Sequence, residues 1–179
     1  FLNTSGAQRV APFGGSDRRL STNPMAIGVP VAGGPPAILD ITTSTVAEGK
    51  LMVAMNKGDS VPDGWIVDKA GRPTTDPKDF YDGGALLTIG AHKGSGLSML
   101  TDLLAGAITT GRSSDPDDTV LRNNMLSIYV DPSVYDREGV VLAEAHRFVE
   151  WVKASPPAKA GESVLAPGDM IEQTKISMA

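Results

Sequence analysis

The chain has no cysteine among its 179 residues. Disulfide staples and thiolate chemistry are therefore excluded, and any redox role has to borrow a cofactor. No run approaches the ~20 apolar residues that a membrane helix requires, and the N-terminus carries no basic stretch leading into an apolar one, so a cytoplasmic location away from membranes is expected. Basic clusters are missing as well: 16 Lys and Arg stand against 21 Asp and Glu, for a formal net charge of −5. The nearest thing to a patch, Asp17-Arg18-Arg19, mixes both signs, which argues against a nucleic-acid surface. An initiating methionine is absent too. The chain starts at Phe1 in mid-pattern and is expected to be a fragment of something longer.

What is present fits a single globular domain over residues 1–179: 41% of residues are apolar and 21% charged, an ordinary balance for a chain long enough to bury a core. The most informative stretch is Gly90-Ala-His-Lys-Gly-Ser-Gly-Leu-Ser98. Its glycines let backbone N–H groups approach a ligand closely. The amphipathic run beginning near Leu97 points its positive dipole end back at them, a combination suited to phosphate. The spacing is neither that of a Walker loop nor that of the dinucleotide fingerprint Gly-x-Gly-x-x-Gly. On residues alone a second reading stands beside the first, in which the glycines form a close packing joint and Lys93 is merely solvated.

Met25 to Pro30 and Ala37 to Ile41 read as paired strands across the turn Gly33-Gly34-Pro35-Pro36, followed by a helix capped by Ser44 or Thr45 and stopped at Gly58. From Asp59 to Gly84, repeated Pro and Gly predict a long loop without regular structure. The helix opened by the glycine-rich segment is expected to run to about Thr110, with Leu97, Leu100, Leu104, Ala107 and Ile108 on a buried face, making it central. A strand over Met125 to Val130, a helix over Ser133 to Ala154 and a terminal strand near Ile176 to Met178 complete the reading. The alternation is too irregular for a doubly wound parallel sheet, so a mixed, partly antiparallel α/β layer is expected.

The segments Val10 to Gly15, Leu20 to Gly28, Asp40 to Ser44, Ala47 to Lys50, Gly71 to Pro77, Gly84 to Leu87, Gly90 to Leu97 and Pro167-Gly168-Asp169, taken in order, closely resemble the malate/L-lactate dehydrogenase-like family of NAD(P)-dependent oxidoreductases. The resemblance implies a non-Rossmann cofactor-binding domain of α/β class, a mixed, mostly antiparallel sheet with flanking helices, with a terminal helical domain lying outside this chain. It further implies hydride transfer between NAD or NADP and a small 2-hydroxy or 2-oxo acid, or a cyclic imine acid, in a homodimer with no nucleic-acid or membrane partner. The family's catalytic histidine sits in a Ser-His-Gly motif. These residues contain no such motif, and the only histidines are His92 and His146.

Carried over by resemblance, Thr4 implies a cofactor contact at the start of the domain. Asp40, Thr43 and Ser44 imply the turn that holds ribose and pyrophosphate. His92, Lys93 and Gly94 imply a phosphate or ribose contact, and Gly168 with Asp169 a late loop closing over the dinucleotide. Lys50 and Asp76 lie in motifs near the family's active cleft. Each also has a plainer reading. Asp40 suits a helix-start carboxylate, Asp76 a turn and Lys50 a lysine lying along apolar surface. His146 reads as surface, and Trp65 and Trp151 as core or interface aromatics. No metal site is expected. The alternative function is a dinucleotide-binding or oligomerisation module without catalysis, and a phosphate-sugar binder is a third possibility.

Overall fold

The computed structural model describes residues 1–117, 120–136 and 138–178. In chain order its elements are β1 (Leu2–Asn3), β2 (Met25–Val29), β3 (Ala37–Ile41), α1 (Glu48–Lys57), β4 (Ile66–Val67), β5 (Pro73–Thr74) and α2 (Pro77–Tyr81). There follow β6 (Ala85–Leu86), α3 (His92–Thr101), a π-helical segment (Asp102–Ala107), β7 (Met125–Leu126), a 3-10 turn (Pro132–Val134), α4 (Val140–Lys153) and α5 (Asp169–Met178). The chain divides into two compact units, a larger one of Phe1–Met25 with Ile41–Ser127 and a smaller one of Ala26–Asp40 with Ile128–Ala179. The fold is mixed α/β with antiparallel strand pairs, as the irregular alternation predicts.

In the larger unit β4 pairs antiparallel with β5 and with β6, in the registers Ile66↔Thr74 and Ile66↔Leu86. On another sheet β1 pairs antiparallel with β7, and Leu2 with Met25. The core gathers Val10, Leu20, Val46, Leu51, Val61, Ile66, Phe80 and Leu86. Three of these, Val61, Ile66 and Phe80, come from the stretch expected to be an unstructured loop, so that expectation is corrected. Its Pro and Gly residues punctuate short elements. Asp68 Oδ1 accepts from the Ala70 and Arg72 amides at 2.9 Å each, and Asp76 caps α2 through the Lys78 amide at 2.9 Å, with Pro77 at the first helical position where no N–H is needed. Arg18 fastens this hairpin: its guanidinium lies 4.5 Å from the Phe80 ring centre and donates to the Gly84 carbonyl.

Helix α1 ends as expected at Gly58, whose φ of +75° suits glycine. It begins later than expected, at Glu48, behind Ala47, which offers no side-chain cap. Ser44 and Thr45 cannot cap it because their backbone is held extended: Ser44 bridges Thr88 and the Thr45 amide donates to Leu87 O at 2.9 Å.

Helix α3 continues into a π-helical segment, with Ile108 N donating to Leu103 O at 3.0 Å and Gly111 N to Gly106 O at 2.9 Å. The expected burial of its leucine face is corrected. Leu97, Leu100 and Ile108 are 38%, 53% and 68% exposed, Ala107 is exposed and Leu104 half-buried, while the buried face consists of Gly94, Ser98, Thr101, Asp102, Ala105 and Gly106. The layer beneath is polar, formed by Thr4, Ser21, Asn23 and Thr43, and small or hydrogen-bonding side chains fit such a layer where leucine would strand its donors.

In the smaller unit β2 and β3 are hydrogen-bonded neighbours; β3 has the bounds expected, and β2 ends at Val29, one residue before Pro30. Helix α4 starts at Val140 rather than Ser133, because Asp131 closes the preceding 3-10 turn through the Ser133 amide at 2.9 Å and Asp136 accepts from the Val140 and Val141 amides at 2.8 and 2.7 Å. The expected strand Met125 to Val130 shortens to β7. The expected terminal strand is instead the helix α5, whose first residue Asp169 accepts from the Ala166 amide at 2.8 Å and whose Met, Glu, Gln and Lys favour helix.

Candidate functional site around the start of helix α3

Two successive residues with positive φ precede α3, Gly90 at +60° and Ala91 at +55°. A β-carbon makes that conformation costly, about 1–3 kcal/mol, so surrounding structure must impose it. Thr88, buried below, donates its hydroxyl to Ala91 O at 2.7 Å and holds the turn. The helix then begins with no side-chain cap, although Lys93 N donates to Gly90 O and Ser95 N to Ala91 O, both at 3.2 Å. His92 and Lys93 are exposed on this first turn, whereas Gly94 is buried. A β-carbon on Gly94 would overlap Ile89 O and stand 2.8 Å from Ile89 N and 2.9 Å from Thr43 O. Gly94 is thus the packing joint of the plainer reading, and His92 and Lys93 beside it stand exposed at the surface.

Beside this turn lies an apolar cavity of about 450 Å³, lined among others by Phe13, Gly14, Leu87, Thr88, Gly90 and Ala91. Phe13 meets the His92 ring edge-on, with centres 5.9 Å apart, and its amide donates to Ser95 Oγ at 3.1 Å. An imidazole and an ammonium group directly after the cavity-lining Gly90 and Ala91, on a helix start with the positive end of its dipole outward, suit a ligand with an anionic bridge and a flat apolar end.

The remaining site residues separate by unit. Thr4, Thr43 and Ser44 lie in the larger unit, at 2%, 0% and 2% exposure. The Thr4 hydroxyl accepts from Asn124 N at 3.0 Å, Thr43 Oγ1 donates to Thr22 O at 3.0 Å, and Ser44 Oγ donates to Val46 O at 2.8 Å. These hydroxyls are engaged inside the larger unit. Lys50 is exposed on α1, and Asp76 is the cap of α2 described above. Asp40, Gly168 and Asp169 belong to the smaller unit. Asp40 is exposed. Gly168 helps line an apolar cavity of about 190 Å³ with Pro36, Ile38 and Pro167. The Ala166 amide, and then the Lys153 ammonium 3.1 Å away, hold the Asp169 carboxyl below its ordinary range. His146 is exposed on α4, and Trp151 stacks on Phe148 at 6.1 Å while 67% exposed.

Sequence reasoning did not single out Phe13, Thr88 and Ala91. Phe13 had a signal, an aromatic set between Pro12 and a Gly-Gly pair. Nothing in the sequence shows that Ala91 takes a glycine-like backbone. Among the described residues, no three His, Cys, Asp or Glu are placed to hold a metal ion, and no helix is long and apolar enough to cross a membrane.

A sequence profile of the malate/L-lactate dehydrogenase family matches residues 1–177. An L-lactate dehydrogenase of Cupriavidus necator is 37% identical over 166 residues, covering 89% of this chain and 48% of that protein. Hydroxycarboxylate dehydrogenase B of Escherichia coli is 36% identical over 183 residues, covering 98% of this chain and 50% of that one. Among solved structures, the Δ1-piperideine-2-carboxylate reductase of Pseudomonas syringae superposes with a TM-score of 0.79 at 32% identity, covering 97% of this chain and 53% of its own. The chain spans about half the length of the relatives it matches. With the profile running from the first strand to the last helix, over the same glycine-rich helix start that borders the cavity, this chain belongs to the malate/L-lactate dehydrogenase family.

Proposed function

We propose that this chain is the cofactor-binding part of an oxidoreductase that moves hydride between a nicotinamide dinucleotide, NAD or NADP, and a small 2-hydroxy or 2-oxo acid, or a cyclic imine acid. The observation that carries the reading is the start of α3, where exposed His92 and Lys93 stand on a helix without a side-chain cap, at the edge of the cavity next to Gly90. The donor set fits the group: an ammonium, an imidazole and the first amides of a helix favour a pyrophosphate or phosphorylated ribose. Lys93 would hold the anionic bridge and His92 the adjoining ribose or phosphate. Gly94, Thr43 and Ser44 would hold the turn from behind. Thr4 supports from the buried layer, and Asp40, Gly168 and Asp169 are the contacts proposed within the smaller unit. When bound, the nicotinamide would supply or accept the hydride, which carries the electron pair.

The residues of this chain would bind and orient. Reduction of a carbonyl also needs a proton donor at the developing alkoxide and a cation for the substrate carboxylate, and the donor histidine is proposed to come from elsewhere in a longer polypeptide. Lys50 and Asp76 stay cleft candidates, although Asp76 already spends its carboxylate on capping α2. The exposed Leu97, Leu100 and Leu103 of α3 support a homodimer, checked by light scattering. The soluble, cysteine-free composition supports a cytoplasmic setting.

Titration with NADH, NADPH and a sugar phosphate, followed by nicotinamide fluorescence and melting temperature, tests the reading. A dinucleotide raises Tm and the sugar phosphate does not. Lys93→Ala weakens dinucleotide binding by about 1–3 kcal/mol. An equal response to all three ligands, or unchanged affinity in the variant, contradicts the assignment. The second reading is binding without catalysis: it predicts that the intact source polypeptide binds a dinucleotide and transfers no hydride to any 2-oxo acid.

A further inference from the structure

Helix α3 presents its leucines to the surface and is held on its other side by polar groups, so hydrogen bonds rather than apolar packing decide where its first turn sits. Those bonds converge on the dipeptide Thr22-Asn23. Asn23 is fully buried at a φ of +31°, a backbone region that asparagine tolerates better than most residues. Its Nδ2 lies 3.0 Å from Ser98 O, 3.1 Å from Ser98 Oγ and 3.2 Å from Asp102 Oδ2, so two N–H groups are shared among three acceptors. Ser98 Oγ donates onward to Ser21 O at 3.1 Å, and Asp102 Oδ2 accepts from Ser114 Oγ at 2.9 Å. The neighbouring Thr22 O accepts from both the amide and the hydroxyl of Thr43 at 3.0 Å. Thr43 O in turn accepts from Ile89 N at 3.0 Å, and these are the backbones against which Gly94 rests. One dipeptide therefore ties α3 twice, at its start through Thr43, Ile89 and Gly94, and near its end through Ser98 and Asp102.

We infer that Asn23 is a positioning residue for dinucleotide binding: its carboxamide fixes the axial placement and rotation of α3, and through them the position of His92 and Lys93 about two turns away. This rests on the proposed dinucleotide grip at the start of α3. Asn23, Ser98 and Asp102 are at most 5% exposed, so water cannot substitute for a lost partner, and the network can settle only where every donor is met. Asn23→Asp keeps the shape, removes both donors and turns an oxygen toward Ser98 O and Asp102.

The test measures NADH and NADPH affinity by nicotinamide fluorescence, at a temperature well below the Tm of each variant, in wild type, Asn23→Asp, Asn23→Asp with Asp102→Asn, and Ser98→Ala. Asn23→Asp raises Kd by about tenfold or more. Adding Asp102→Asn lowers Kd by about threefold from the single variant without restoring wild type, because the amide is then offered from the other side of the bond to residue 102 while the carboxylate oxygen facing Ser98 O stays unmet. Ser98→Ala, which removes one of three acceptors and leaves the carbonyl, raises Kd by about two- to fivefold and decides the matter if Asn23→Asp does not fold. A lowered Tm with unchanged Kd in the folded variants overturns the positioning role while the dinucleotide reading stands. Failure of the wild type to bind either dinucleotide overturns that reading, and this inference with it.

Discussion

The two units of this chain are built in opposite ways. Every described residue that is fully buried belongs to the larger unit, from Val10 and Leu51 to Asn23 and Thr43. In the smaller one the apolar side chains stay at the surface: Ile27, Tyr129 and Trp151 are 53%, 92% and 67% exposed. Helices of good amphipathic period occur in both. The contrast teaches that periodicity marks an apolar face without stating what covers it, and that local signals such as the Asp131 and Asp136 caps can define elements where no core does. It sets Thr43, Ser44 and Gly94 on a packed foundation that holds the α3 start in place, while Asp40, Gly168 and Asp169 stand on elements without one.

The largest expected effect tests whether the core really lies on one side. Phe80→Ala costs about 3–5 kcal/mol in urea unfolding, whereas Trp151→Ala changes stability by less than about 0.5 kcal/mol; similar losses would break the comparison. Next come two glycines on one helix. Gly94→Ala forces a methyl group into the Ile89 and Thr43 backbone and costs about 1–3 kcal/mol, together with dinucleotide affinity. Gly96→Ala meets nothing within 4 Å and leaves stability unchanged or raises it by up to about 1 kcal/mol. Native-state hydrogen exchange then sharpens the picture: amides of β4 and β6 are the slowest to exchange and those of α4 among the fastest.

The smallest effect is acidic. The Val141 amide and then the Val140 amide hold the Asp136 carboxyl below its ordinary value of 3.8, and Asp169 is held low in the same direction. The folded carboxyl releases its proton more readily than the unfolded one. Its stabilisation is therefore present above about pH 4 and is lost as pH falls through the lowered folded value. Asp136→Asn flattens that acid limb in melting curves, and an unchanged limb would remove the cap from the account of α4.

Much of the family identity was legible in the sequence, because glycine and turn residues such as those in Gly90 to Leu97 encode backbone geometry that survives divergence. The strands β2 and β3 and the stop of α1 at Gly58 were legible for the same reason, as local conformational preferences. Residues 59–84 were not, since Ile66, Val67 and Phe80 form a core only through pairing between β4, β5 and β6, whose short strands lack a periodic signal. Nor was the buried face of α3, because hydropathy ranks Leu97 above Ser98 and cannot see that the facing layer is hydroxyl and amide. Of the candidate site residues, the sequence did not show that His92 and Lys93 stand exposed on the first turn of α3 or that Thr43 and Ser44 turn their hydroxyls toward backbone carbonyls. A single threonine in sequence does not reveal which way it points.

The most direct test of the dinucleotide grip is a two-dimensional amide NMR titration of this chain with NADH. The account predicts that the largest shifts fall on the amides of Ala91 to Ser95, with smaller ones at Thr88 and Phe13 around the cavity. Shifts that spare Ala91 to Ser95, or no shifts at saturating dinucleotide, would contradict it.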